Sequence, residues 1–460
     1  MSRRILLLEM KNFLSGRGVI AGLVLLAAAG LYAIAQGNQV IEQQRRALAA
    51  APRLAAEHRE TLLAMHAGKT EEGPGGLLYY LHFSTVREPS RLAPLAVGLR
   101  DLHPYNLRVR LLALEGQLYD GDIANPAVLA LGNFDVAFLL VLCYPLLVIA
   151  FLHNTLSAEQ ESGAWRMLCA YPVSPWRMLL GKALIRFIPI LAVWLATLLA
   201  AVFWLDLPFD GRLLSLGLLG LTYLGFWFAL ALAVMTTQGS SNFNAVALLG
   251  CWLLLVVLAP VSLNLALSAQ LPVPEAFELT ILQREGYHNK WDQPKQATMR
   301  RFFDRYPQFA AYPVPEDRFT WAWYYAMQHM GDEEAATAAA RWKEKLLARE
   351  QRAAALSSFI PPALVQSTLS RLCGTGLSPH IAYLDSVRRY HEELRLAFYP
   401  YLFQDPPVPP VDWHALPRHS FSDEEGAAVS AASETGVLSG AALILAAFAV
   451  WRFRRRSSVL

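Results

Sequence analysis

The run VAFLLVLCYPLLVIAFL, residues 136–152, is followed by HNTLSAEQESGAWRMLCAYPVSPWRMLLGK, residues 153–182, and then by a second long apolar run ending at residue 205. A helix needs about 17–25 apolar residues to cross a hydrocarbon core of about 30 Å, and both apolar runs meet that length. The piece between them is polar and carries Arg166, Arg177 and Lys182, so it reads as a short link at one membrane face.

Working outward, the same reading finds six spans: 19–35, 136–152, 184–205, 213–236, 244–267 and 436–453. The last is Ala-rich and short, and the cluster Arg452-Phe453-Arg454-Arg455-Arg456 anchors its end. Composition agrees: 55% of the 460 residues are hydrophobic and 17% charged, against about 25% charged in an average soluble chain. A net charge of +3 is too small to imply a nucleic-acid partner. Four cysteines without ligand spacing suggest neither a metal site nor a disulfide framework.

Basic residues close to the span ends set the orientation. Arg3, Arg4, Lys11 and Arg17 precede the first span, the 153–183 link is basic, and arginines follow the last span, so all three are expected in the cytoplasm. Residues 36–135 (segment A) and 268–435 (segment B) are then periplasmic, with residues 1–18 an amphipathic cytoplasmic segment and 454–460 a cytoplasmic tail. This describes a multi-pass protein of a bacterial inner membrane, in contact with the lipid bilayer, with both termini inside. A signal peptide cleaved after Ala33-Ile34-Ala35 is the competing reading of the N-terminus. The long apolar run and long basic leader oppose it, and removal would leave five spans with conflicting termini.

The two outer segments exceed half the chain and read as one mainly helical domain, with helices over 38–65, around 333–352 and over 379–398. Proline-rich stretches at 271–274 and 404–410 mark linkers to the membrane. Met327-Gln328-His329-Met330 with Met65-His66 has the soft donors that suit Cu(I). Met327 and Met330 at i, i+3 after Trp323, Tyr324 and Tyr325 fit helix packing better.

The link is expected to carry function. Ser157 with Gln160 forms a capping-box pattern, and Glu159 and Glu161 suit the first turn, which predicts one amphipathic helix over 157–170 ended by Tyr171-Pro172. Ser174 then caps a second helix with Pro175 at its first position. A short helix continuous with a span is a lever for a cytoplasmic partner; the bland alternative is a solvated loop. Within the spans, Pro145, Pro189 and Pro260 can kink helices. Arg186 reads as an interfacial anchor, and Arg186 and Asn264 are the polar side chains that could line a pathway.

Glu159-Gln160-Glu161-Ser162-Gly163, Met167-Leu168, Pro172-Val173-Ser174 and Leu179-Leu180-Gly181-Lys182 together resemble the signature of ABC-2 type permeases. The resemblance implies an all-α membrane protein of the ABC-2 exporter type with six transmembrane helices. It further implies that the link is the coupling helix docking on a separate ATPase subunit, through Ser157, Glu159, Gln160, Glu161, Gly163, Arg166, Pro172 and Ser174. A homodimer, or a heterodimer with a sibling permease, is implied as well, with export or periplasmic mechanical work as its action. A narrower resemblance, to the subfamily with large insertions between spans one and two and spans five and six, rests on several marks. They are Asn125-Pro126, Gly132 to Phe138, Pro145-Leu146, Pro361-Pro362-Ala363-Leu364, Gly374-Thr375-Gly376, His380, Tyr383 and Tyr390-His391. Trp165 and Gly376 depart from its pattern.

Gly181-Lys182 precedes Ala183 and has Trp176 where the first glycine of a phosphate loop belongs, so ATP hydrolysis falls to the partner and no cofactor is expected. No Gly-x-Ser-x-Gly elbow occurs, and His391-Glu392-Glu393 lacks a zincin's second histidine. The rival reading is a non-transporting receptor or scaffold whose periplasmic domain binds a partner. For the topology, an alkaline phosphatase fused after Ser458 should be inactive and one fused within 268–435 active; the reverse pattern removes the six-span arrangement.

Overall fold

The computed structural model describes residues 3–67, 74–118, 132–170, 174–404, 411–413 and 415–457. Among these residues, six helices are long and apolar enough to cross a membrane: Arg17–His66, Val136–Glu161, Pro175–Leu205, Gly211–Met235, Ser241–Gln270 and Ala432–Arg455. They are called the first to sixth spans below. The first differs from expectation: the apolar run and the polar helix predicted beyond it are one unbroken helix of 50 residues, about 75 Å long. Its middle residues, Ala35 to Asn38, contain no breaker strong enough to stop it, since Gly37 costs only about 1 kcal/mol.

The fourth span is central, and Gly220 there lies against Trp194 of the third, where an added Cβ would sit 2.3 Å from the ring. Gly30 of the first span likewise meets Thr197 of the third. Small residues let helix backbones approach where lipid offers no hydrophobic drive. The fifth span is peripheral, with Phe243, Val246, Leu254 and Leu265 exposed.

Two prolines decide the shape of the spans. Leu139–Cys143 and Leu253–Leu258 are π-helical turns, each ending two residues before a proline, Pro145 and Pro260. Proline supplies no N–H, so the carbonyl four residues back loses its usual donor, and a widened turn absorbs the mismatch. At Pro145 that carbonyl belongs to Val141, and Tyr223 Oη of the fourth span donates to it at 2.9 Å. Trp252 Nε1 of the fifth span donates to the adjacent Leu142 carbonyl at 3.1 Å. Pro189 instead sits inside a continuous α-helix.

Segments A and B fold together at one end of the bundle, the domain end. The predicted helices are present, as Trp321–Ser357 and Leu377–Phe403, joined by Pro361–Leu372. A two-stranded antiparallel sheet, β1 (Phe83–Ser84) with β2 (Arg108–Val109), was not anticipated. The 271–274 linker separates the fifth span from the Glu275–Trp291 helix, whereas 405–410 and Asn125-Pro126 lie outside the described residues. The core is aromatic: Phe302 stacks on Phe403 at 4.5 Å, and Tyr306, Phe309 and Tyr399 surround them. Met327 and Met330 are buried in this core, as the packing reading required, while Met65 is exposed.

Segment B grips segment A through polar contacts. Thr375 Oγ1 donates to the Ala96 carbonyl at 2.8 Å, Tyr383 Oη lies 2.5 Å from Thr85 Oγ1, and His391 Nε2 lies 2.8 Å from the Arg110 carbonyl. Asp423 accepts from Arg87 Nε at 2.8 Å and pairs with Arg100, all three side chains being buried. Arg100 Nε also donates to Gln44 Oε1 at 2.9 Å, which ties the network to the long first helix. Burial lowers the Arg100 pKa to about 10, yet the guanidinium stays charged at neutral pH.

Tyr223→Phe strips the Val141 carbonyl of its donor in an apolar setting. It should cost about 1 kcal/mol, read as a lower unfolding temperature of the chain in detergent, with Thr222→Val on the same helix as a near-neutral control.

Candidate functional site

At the opposite, basic end, the link between the second and third spans meets three other spans and, through Lys182, the Arg3–Leu14 helix. The expected single helix over 157–170 is two: Ser157–Glu161 and Ala164–Cys169. Gly163 stands between them at φ +76°, the left-handed conformation that glycine adopts freely and that ends a helix.

The expected capping box does not form either. Backbone bonding continues out of the second span, with Ala158 N–H donating to Asn154 O at 3.0 Å and Gln160 N–H to Leu156 O at 3.2 Å. The amides a cap would serve are already paired. Ser157 is buried instead, its Oγ 2.8 Å from Ser241 Oγ at the start of the fifth span.

Both acids also differ from expectation. Glu159 pairs with Lys182 of the third span, and Lys182 reaches Glu9 of the Arg3–Leu14 helix at 3.5 Å. Glu161 accepts from Ser241 N–H at 2.7 Å and from Ser241 Oγ at 2.9 Å, so it caps the fifth span from outside. Ser240 Oγ adds a second cap by accepting from Phe243 N–H at 3.2 Å. The fifth span's free N-terminal amides draw Glu161 and Ser240, and Lys182 draws Glu159, so both carboxylates tie the link to neighbouring spans while Glu161 stays exposed to solvent.

Arg186 donates to the Phe151 carbonyl at 3.0 Å and to Asn154 Oδ1 at 2.7 Å, with its guanidinium 5.7 Å from the Phe13 ring. It staples the third span to the second and to the N-terminal helix. Asn264 lies at the far end of the bundle and accepts from Arg349 Nη2 at 3.1 Å. These two candidates are therefore not brought together.

The sixth span joins through Phe453, whose ring lies 5.5 Å from Trp176 and 6.2 Å from Trp165, beside buried Leu156 and Leu179. Trp165 thus fills a place in this cluster. Ser174 is the N-cap residue before Pro175 as expected, although its side chain makes no cap bond. Gln160 is half-buried, and Pro172 lies outside the described residues. Among the described residues of the link, Glu161, Ser162, Gly163, Arg166, Met167, Ala170, Ser174 and Arg177 remain exposed, with Met167 at 73% exposure.

Glu9, Ser241, Phe13 and Phe453 escaped the sequence reading. Ser240-Ser241 at the head of an apolar run was a legible cap; the others are partners across 70 residues or more and leave no local signal.

A family model described as "Domain of unknown function (DUF3526)" matches residues 277–422, the larger part of segment B. No curated protein and no solved structure matches the chain.

Glu159→Lys or Lys182→Glu alone should each lower stability by about 1–2 kcal/mol, since the pair is mostly shielded from water. The double exchange should recover most of the loss in thermal unfolding of the purified chain; strictly additive losses would mean that the two side chains do not act as a pair.

Proposed function

We propose that the chain is the membrane-spanning permease subunit of an ABC-2 type transporter, with both termini in the cytoplasm of a bacterial cell and segments A and B in the periplasm. A separate ATPase subunit supplies the energy, and the permease works as a homodimer or with a sibling subunit to export a substrate or act mechanically on the periplasmic side. The observation that carries this reading is the basic-end junction. One short link touches the third span through Lys182, the fifth through Ser241 and the sixth through Phe453, and Lys182 in turn pairs with Glu9 of the N-terminal helix. A push on that link is passed to several spans at once. The side left free, Arg166 and Met167, carries a cation and an adaptable apolar side chain of the kind that protein interfaces enrich.

The docking surface is accordingly assigned to Arg166 and Met167, with Glu159 and Glu161 holding the link in place behind it. Arg166→Glu combined with Met167→Asp should leave the unfolding temperature unchanged and reduce co-purification with the cognate ATPase by about tenfold or more. Glu344→Lys on the domain should leave co-purification intact. Undiminished association in the Arg166/Met167 variant would remove the docking assignment and favour a receptor or scaffold.

A further inference from the structure

Where the second and fifth spans enter the domain, a half-open cavity of about 560 Å³ lies between them. Its lower wall is apolar: Phe138, Val141 and Leu142 come from the second span, Val256 and Pro260 from the fifth. These include residues of both π-helical turns, so the only two widened turns among the described residues face one space. Widened turns often mark ligand sites, because they turn side chains and carbonyls away from the regular helical ladder.

The upper wall is polar and acidic. Asp101, Asn133, Asp135, Gln366 and Ser367 line it, and among the described lining residues there is no lysine or arginine. Asp135 is fully used, accepting from Phe138 N–H and from Val97 N–H, each at 2.8 Å. Asp101, half-buried, is not: Oδ2 accepts from Asn133 Nδ2 at 2.6 Å, while Oδ1 is shielded from solvent and has no well-formed hydrogen bond, only its own and the Leu102 backbone N–H nearby. A buried acceptor without a donor costs about 1–3 kcal/mol, and a carboxylate costs more. Burial pushes the carboxyl pKa of Asp101 upward, and that of Asp135 to about 6. Arg100, the basic residue beside Asp101 in sequence, is paired with Asp423.

We propose that this cavity binds an amphiphile with an ammonium head and an aliphatic body, the head donating to Asp101 and the body lying between the second and fifth spans. An ammonium brings both the donor and the positive charge that the acidic wall lacks. The apolar wall is continuous with the exposed, lipid-accessible surface of the fifth span, including Val257 and Val261, which admits a chain longer than the cavity itself. A carboxylate or sulfate head would meet two acids and is excluded by charge. Binding at this site belongs to the chain alone and does not depend on the ATPase reading.

The test is native mass spectrometry of the full chain released from a neutral maltoside, titrated with dodecylammonium, lysophosphatidylethanolamine, lysophosphatidylcholine and dodecanoate. One saturable adduct is expected with an ammonium probe, with lysophosphatidylcholine and dodecanoate at least tenfold weaker. Binding of both ammonium probes identifies a lipid headgroup as an acceptable source; binding of dodecylammonium alone identifies a free amine. Asp101→Asn keeps an acceptor for Asn133, should not harm folding, and should weaken the ammonium adduct at least tenfold. Val256→Trp, which fills the apolar wall, should abolish it. The proposal is overturned by the absence of a saturable ammonium adduct, by dodecanoate binding equally well, or by adducts that persist unchanged in both variants.

Discussion

In a hydrocarbon environment every backbone N–H and C=O must find a partner within the protein, and the arrangement of this bundle depends on how that demand is met at Pro145. The proline withdraws a donor deep in the second span, the turn widens, and Tyr223 and Trp252 supply hydrogen bonds to the Val141 and Leu142 carbonyls. Those two donors come from the fourth and fifth spans. The same defect that would weaken an isolated helix therefore sets the second span in register with two neighbours, and its widened turn and that of the fifth span line one shared space.

A different electrostatic demand organises the domain end. Asp423 is approached by two buried arginines, and the second of them is also held by Gln44 of the first span's long extension. Residues more than 300 positions apart are thereby joined to a rod that begins on the other side of the bundle. Removing Asp423 would leave two guanidinium groups buried without a counter-charge, a situation that costs several kcal/mol. The domain is thus fastened to the first, second and fifth spans at named points: Gln44, Asp135 with Val97, and Asn264 with Arg349.

At the basic end the fastening runs through the short link. Under the proposed function the two ends are connected by continuous helices, so a displacement of the link is carried along the third and fifth spans toward the domain. The cavity with Asp101 lies where the fifth span enters that domain, next to its own widened turn.

Six apolar runs, the basic flanks, the helical character of segments A and B and the burial of Met327 and Met330 were legible from the sequence, because each rests on local composition or on a period of 3.6 residues. The continuity of the first helix past residue 35 was missed, since an apolar run ends where hydropathy falls and a helix need not. The internal structure of the link differs from the expected single capped helix. Ser157 and Gln160 satisfy a local capping pattern with Glu159 and Glu161 in the first turn, but Ser241 took Ser157 and Glu161, and Lys182 took Glu159, once the fifth and third spans stood beside them. The same holds for the free carboxylate oxygen of Asp101 and the pairing of Asp423 with two arginines. Spans and punctuation are one-dimensional properties that a sequence carries by itself; which donor meets which acceptor depends on distances between helices far apart in the chain, and only their packing decides it.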